Sequence, residues 1–139
     1  MKYIKTFESN KNKYNIGDYV FVDYGYEEYI IAKILDVGID WDYLILLPCK
    51  SDDEIFESLI KRLATKIEIE IFNIKKDDMF LINHNGAEII MTFKNLDQED
   101  EKNEYIYYFE FNNNVYEIYL NNIIRKPNKM EIDSIKYNL

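Results

Sequence analysis

The stretch Tyr14–Val37, YNIGDYVFVDYGYEEYIIAKILDV, constrains the fold more than any other part of the chain. Gly17-Asp18 reads as a turn that launches an alternating strand through Tyr19, Val20, Phe21 and Val22, and a Gly-containing turn then leads into a second β-rich run. Two such runs so close together open a small, strongly curved antiparallel sheet. Length fits that scale, since 139 residues suit one compact domain or two very small ones. Apolar residues at 47 % supply a core and argue against global disorder.

Further strands are expected over 18–23, 28–37 and 43–47, with Gly38 and Asp40-Trp41-Asp42 in a turn. Ser51-x-x-Glu54 has the form of a capping box, and Ile55, Phe56, Leu59, Ile60 and Leu63 recur at helical spacing, so a helix is expected there. Acids at its start and Lys61, Arg62 and Lys66 at its end match a helix dipole. Lys66–Ile71 alternates strictly and reads as a strand. Asn85-Gly86 joins 79–83 to 87–93 as a hairpin, because the pair tolerates the positive φ angles of a type I′ turn. A second hairpin is expected across Asn112-Asn113-Asn114, joining 105–111 to 115–120, and Asn128-x-x-Glu131 caps a short final helix. The leader, with Tyr3, Ile4 and Phe7, reads as a docking arm followed by a polar linker.

IGDYVFVDY and IKKDDMFLINH echo one another, each followed by a β-rich pair. The fold class is therefore mainly β (α+β): a small curved β-barrel, or two fused barrel-like sheets, with one inserted amphipathic helix and a short C-terminal helix. The chain, 1–139, is expected to form a single compact domain, with an internal duplication near 14–50 and 74–126 as the open alternative.

Charge bounds the partners. The formal net charge is −9, from 26 acidic against 17 basic residues, which makes free nucleic acid a poor ligand. Such a surface is steered towards basic patches on proteins, although net charge also simply keeps a small domain soluble. Cys49 is the only cysteine, so no intramolecular disulfide forms; its place after Pro48 at a strand end suggests a thiol that is buried or inert. No signal-peptide core or membrane-length apolar run is visible, so a cytoplasmic location in the host cell is expected, with no membrane partner.

Catalytic constellations are not legible in the sequence. His84, the only histidine, sits beside a turn, and one His with one Cys gives no zinc spacing. No phosphate-binding glycine loop or nucleophile elbow occurs. The acidic run 97–104 lacks the glycine and alternating ligands of a calcium loop. The expectation is a protein that is not an enzyme, with no metal and no cofactor.

The Tyr-rich run 105–111 carries more weight. One face bears Tyr105, Tyr107, Phe109 and Phe111, the other Ile106, Tyr108 and Glu110. Both are too apolar for a plain solvent-facing edge, so the strand is either central in a covered sheet or turned towards a partner. Asp97, Glu99, Asp100, Glu101 and Glu104 precede it. Those carboxylates, with Tyr105, Tyr107 and Trp41 as aromatic anchors, form the candidate site for gripping Arg and Lys on another protein.

MKYIKTFES, GDYVFVDY and NNIIRKPNKMEIDSI together resemble small uncharacterised tailed-phage proteins with Src-homology-3-like barrels. The resemblance covers the two chain ends, about a third of the sequence, and departs from a minimal barrel between Cys49 and Glu104. It implies a viral accessory protein and carries over no catalytic residues. The expected function is a non-enzymatic acidic protein, monomeric or homodimeric. It would bind a basic surface of a host protein, such as the nucleic-acid groove of a defence nuclease, as anti-CRISPR-like inhibitors do. The alternative is a virion structural or assembly protein.

Overall fold

A computed structural model describes residues 13–26, 28–38, 42–98 and 104–137. The chain forms two compact units, Met1–Ala64 and Thr65–Leu139. The expected leader arm and the Asp40-Trp41-Asp42 turn, apart from Asp42 itself, lie outside the described residues.

The first unit is one antiparallel sheet. Its strands are β1 (Tyr19–Asp23), β2 (Tyr29–Val37), β3 (Asp42–Leu46), β4 (Asp52–Phe56) and β5 (Ile60–Leu63), in the order β4-β3-β2-β1-β5. A 3-10 helix, Glu57–Leu59, separates β4 from β5. Entry into β1 is fixed by polar geometry. Asp18 Oδ2 accepts the Asn15 N–H at 2.9 Å, and the Asp18 N–H donates to the Asn15 carbonyl at 3.0 Å. Gly17, at φ +94°, supplies a backbone shape that side chains resist. Val20, Val22, Ile30, Ala32, Ile34, Tyr43, Ile45 and Ile55 fill the core. Each large aliphatic side chain there contributes about 1.5–3 kcal/mol relative to exposure.

In the second unit α1 (Lys66–Phe72) precedes β6 (Met79–His84), β7 (Ala87–Gln98), β8 (Tyr105–Phe111), β9 (Asn114–Ile118), a 3-10 helix (Leu120–Asn122), β10 (Ile123–Arg125) and α2 (Lys129–Tyr137). The order is β10-β6-β7-β8-β9. Asn85-Gly86, at φ +53° and +84°, closes the first hairpin as expected. Asn112-Asn113, at φ +52° and +66°, closes the second with two turn residues, so Asn114 already belongs to β9. Phe80, Phe93, Tyr107 and Phe109 stack edge-to-face and tilted in the core, with centroids 5.5–6.3 Å apart. His84 ends β6, yet its ring lies 4.7 Å from that of Tyr116 in β9, with β7 and β8 between them in the sheet. The sheet therefore curls strongly. Neither sheet closes by hydrogen bonds into a complete barrel among the described residues.

Two expectations exchange places. Residues 51–63 are not a helix. Pro48-Cys49 turns, Lys50 takes φ +71°, and the Leu47 N–H donates to the Ser51 carbonyl at 2.8 Å, so the chain folds back as a hairpin. Ser51 is spent on the turn rather than a cap. Of the supposed apolar stripe, Ile55 and Ile60 are buried, while Phe56 and Leu63 are exposed. Lys66–Ile71, read as a strand, is α1. Thr65 Oγ1 accepts from the Glu68 N–H at 3.3 Å and Glu68 Oε1 accepts from the Thr65 N–H at 2.8 Å, a complete capping box. Ile67 and Ile71 then share a helix face, so the same residues satisfy both periods. The inserted helix exists, immediately after the stretch where its pattern was sought. Cys49 is exposed rather than buried, with Sγ 2.9 Å from Ser51 Oγ.

The units repeat one plan. Each runs first strand, second, third, fourth, 3-10 helix, fifth, with the fifth paired to the first. Gly17 N–H donates to Ile34 O at 2.8 Å and Asp77 N–H to Phe93 O at 2.9 Å; Ile34 N–H donates to Asp18 O at 2.8 Å and Phe93 N–H to Asp78 O at 2.7 Å. Asp78 Oδ2 accepts from Lys75 N–H as Asp18 does from Asn15, both at 2.9 Å. The second strand is bulged after Ile34 in one unit and after Phe93 in the other.

Candidate partner-binding surface

The expected site residues fall into three groups. Trp41, Glu99, Asp100 and Glu101 lie outside the described residues. Asp97 is exposed near the end of β7, and Glu104, half-buried, stands just before β8. Tyr105 and Tyr107 point inward, with 3 % and 2 % of their surface exposed, so they are core residues and not anchors for a partner. Burial raises the Tyr107 phenol far above its ordinary pKa. The strand itself is central, between β7 and β9. Of the two readings of the Tyr-rich run, the covered sheet holds for this face.

The opposite face follows from register. Tyr108 stands between Asn95 of β7 and Glu117 of β9, Glu110 between Thr92 and Val115, and Asp97 opposite Ile106. Pairs directly across antiparallel strands share a face, so Asn95, Asp97, Tyr108, Glu110, Val115 and Glu117 line one side of the β7–β9 ribbon. The Tyr108 phenol is held above its usual pKa by partial desolvation and then by the charges of Glu117 and Asp97. It stays neutral, a hydroxyl flanked by two carboxylates. Lys94, the bulge residue, lies 3.6 Å from Glu110 and 3.3 Å from Asp77, which offsets part of the charge at that end.

The tyrosine of β8 on the face that carries carboxylates is Tyr108, not Tyr105 or Tyr107, and Glu110 and Glu117 share that face with it. The available signal was Glu110: a carboxylate at that parity marks its face of the strand as the wet one.

A second acidic stripe occupies the edge of the first sheet. Asp52, Asp53 and Glu54 of β4 are exposed, and Phe56 follows with 65 % of its surface open. Asp53 Oδ1 accepts the Glu54 N–H at 2.9 Å, which satisfies an edge donor locally and, with the charge, blunts strand addition there. Tyr24 is pushed up to about 12 by burial and, second, by Asp53. Elsewhere in this unit Phe21 stacks on Tyr29 at 5.4 Å, and the Arg62 guanidinium sits 4.4 Å from the Phe21 ring.

His84 is half-buried, its ring packed on Tyr116, with Asn85 Nδ2 at 3.4 Å from Nε2. Among the described residues no group of three or more His, Cys, Asp or Glu side chains is placed to hold a metal ion. No described helix is long and apolar enough to cross a membrane. No protein-family model matches the chain, and no curated protein matches it.

Proposed function

We propose that the protein is a non-enzymatic, acidic, phage-type accessory protein that binds a basic surface on a host protein. Occupying the nucleic-acid groove of a defence nuclease, in the manner of anti-CRISPR-like inhibitors, is the form of this role that we favour. The observation that supports it is the neutral Tyr108 phenol flanked by Asp97 and Glu117 on the β7–β9 face. The connector after Asp97 adds Glu99, Asp100, Glu101 and Glu104 in sequence. An aromatic ring beside several carboxylates suits a guanidinium or ammonium group, which stacks on the ring while its N–H donors meet the acids.

Such binding depends on salt, because exposed charges are screened beyond about 10 Å at 0.1 M ionic strength. The test is capture of partners from host lysate by the tagged protein at low and at high salt, with and without neutralisation of Asp97, Glu99, Asp100, Glu101, Glu104 and Glu117 to Asn or Gln. One dominant nucleic-acid-binding protein, lost at high salt and lost on neutralisation, is the expected result. A partner retained undiminished after neutralisation would show that charge mimicry is wrong. Recovery of virion proteins alone, insensitive to salt, would replace the reading with an assembly role.

A further inference from the structure

The β7–β9 face has a counterpart in the first unit. Leu44 of β3 stands between Asp36 of β2 and Glu54 of β4, as Tyr108 stands between Asn95 and Glu117. Counted from the bulge of the second strand, Asp36 matches Asn95 and Gly38 matches Asp97. The plan by itself therefore accepts an apolar side chain at the central position and none at the diagonal one. The second unit has a phenol ring in the first place and a carboxylate in the second.

Neighbouring strands lie about 4.8 Å apart, so β7 and β9 run about 10 Å apart with β8 between them. Asp97 and Glu117, both exposed, thus flank the half-buried Tyr108 from opposite sides. Asp97 Oδ1 accepts the Gln98 N–H at 2.9 Å, which holds that carboxylate in place. Lys94 is engaged with Asp77 and Glu110 at the other end of the face. A guanidinium lying on the ring keeps all five N–H donors in its own plane, directed outward, and meets carboxylates on both flanks at once. An ammonium gathers three donors on one nitrogen and cannot serve two strands about 10 Å apart while it stays on the ring. The chain's own contacts show the difference in approach. The Arg62 guanidinium sits 4.4 Å from the Phe21 centroid, whereas Lys13, Lys33 and Lys126 hold their ammonium groups 5.6–5.9 Å from Tyr14, Tyr19 and Phe80.

We infer that Tyr108, Asp97 and Glu117 form an arginine-reading site, which takes one guanidinium group of the partner protein and discriminates against lysine. The inference rests on the basic-surface reading above and narrows it. The partner presents an arginine that stacks on Tyr108 and is forked by the two carboxylates, so a lysine at the same place on the partner gains the charge but not the fork.

The test uses the full-length protein and two probes of equal charge, nona-arginine and nona-lysine, titrated by calorimetry at low salt, with backbone amide shifts to locate the contact. Wild type should bind the arginine peptide about tenfold more tightly than the lysine peptide, with shifts centred on β7–β9. Tyr108→Leu introduces the side chain that the first unit carries at Leu44, so the sheet should be kept, as circular dichroism will show. That variant should still bind both peptides through charge but lose the preference. Tyr108→Phe keeps the ring and should keep the preference, whereas Asp97→Asn with Glu117→Gln should abolish it without touching the ring. Equal affinity of wild type for the two peptides overturns the arginine site and leaves the charge-based reading standing. So does a preference that survives Tyr108→Leu or the double neutralisation, and so do shifts centred elsewhere. Failure of both peptides to bind overturns the two readings together.

Discussion

The Tyr43 hydroxyl donates to Glu57 Oε1 at 2.6 Å and accepts the Tyr14 N–H at 3.1 Å, so one buried phenol joins β3, the 3-10 helix before β5 and the segment entering β1. Glu57 Oε1 also accepts the Lys13 N–H at 3.0 Å, and the Tyr14 ring packs edge-on against Tyr43 at 6.0 Å. Without this bridge the entering chain would leave a buried amide unpaired.

Tyr43→Phe is accordingly expected to destabilise the protein by about 1–3 kcal/mol, because the ring keeps its packing while Tyr14 N–H loses its acceptor. Urea unfolding should show a lower midpoint with an unchanged slope. Alkali offers a second readout. Burial, then the Glu57 hydrogen bond, pushes Tyr43 up to about 12, and Tyr24 is raised to about 12 as well. An unfolded chain releases these protons near pH 10, before the folded one does, so stability should fall as pH rises from about 10 to 12. Tyr43→Phe should make that fall shallower, and an identical pH profile would refute the assignment.

The second prediction concerns the turn that the two units share. Gly17 has φ +94°, and the same position in the second unit is Asp77 at φ +76°. An ideal Cβ on Gly17 would meet nothing within 4 Å, so Gly17→Ala costs only backbone strain, about 1–2 kcal/mol. Asp77→Gly should do the reverse and stabilise. The gain will be smaller, up to about 1 kcal/mol, because Lys94 loses one of its two carboxylates. Opposite signs in thermal melts of the two variants are the expected outcome; a destabilising Asp77→Gly would mean that the ion pair outweighs the strain.

How much of this was legible beforehand depends on which residues speak locally. Asn85-Gly86, Gly17-Asp18 and Asn128-x-x-Glu131 are instructions that a few adjacent residues carry in full, and each gives the expected turn or cap. Residues 51–71 depend on distant partners. Ile55 and Ile60 are buried by a sheet that the sequence does not display, and Lys66–Ile71 satisfies a period of two and a helical face at once. There Thr65 and Glu68 decide, through two hydrogen bonds within four residues. The burial of Tyr105 and Tyr107 is hidden from the sequence for the same reason: which face of β8 meets solvent is set by strand register, for which Glu110 is the one local clue.

Acid should act on α2 before it acts on the sheets. Arg125 Nη1 and Nη2 donate to Glu131 Oε1 and Oε2 at 2.8 and 3.0 Å, and Glu131 also accepts the Asn128 N–H. These bonds, Arg125 foremost, hold the Glu131 carboxyl down at about 2. A carboxylate depressed in the folded state stabilises it above the unfolded pKa, near 4.5, and that contribution disappears as pH falls towards 2. Helix signal from α2 should therefore decline between about pH 4.5 and 2. Glu131→Gln should remove the pH dependence of α2 by removing the titrating group, at the cost of a weaker cap at all pH values. Residue-resolved amide exchange on α2 and on β6–β8 separates the two events. Simultaneous loss of protection in helix and sheet would show that α2 is not an independently titrating element.

The last prediction separates surface from core on β8. Tyr108→Ala removes a ring from the β7–β9 face, and Tyr107→Ala removes one from the core on the next residue of the same strand. Tyr107 packs 6.3 Å from Phe93 with its phenol buried, so its truncation should cost about 3–5 kcal/mol, enough to unfold a small unit of this size. Asp97→Asn and Glu117→Gln, at exposed positions, should each shift stability by only about 0.5 kcal/mol, and Tyr108→Ala, at a half-buried position, should cost less than the Tyr107 truncation. Relieving repulsion among the acids acts in the stabilising direction. Binding should respond in the opposite order: the triple variant folds and loses its basic partner. If instead the triple variant keeps full affinity at low salt, the partner reads some other surface. The β4 edge, with Asp52, Asp53, Glu54 and the exposed Phe56, then becomes the next acidic and aromatic stripe to neutralise.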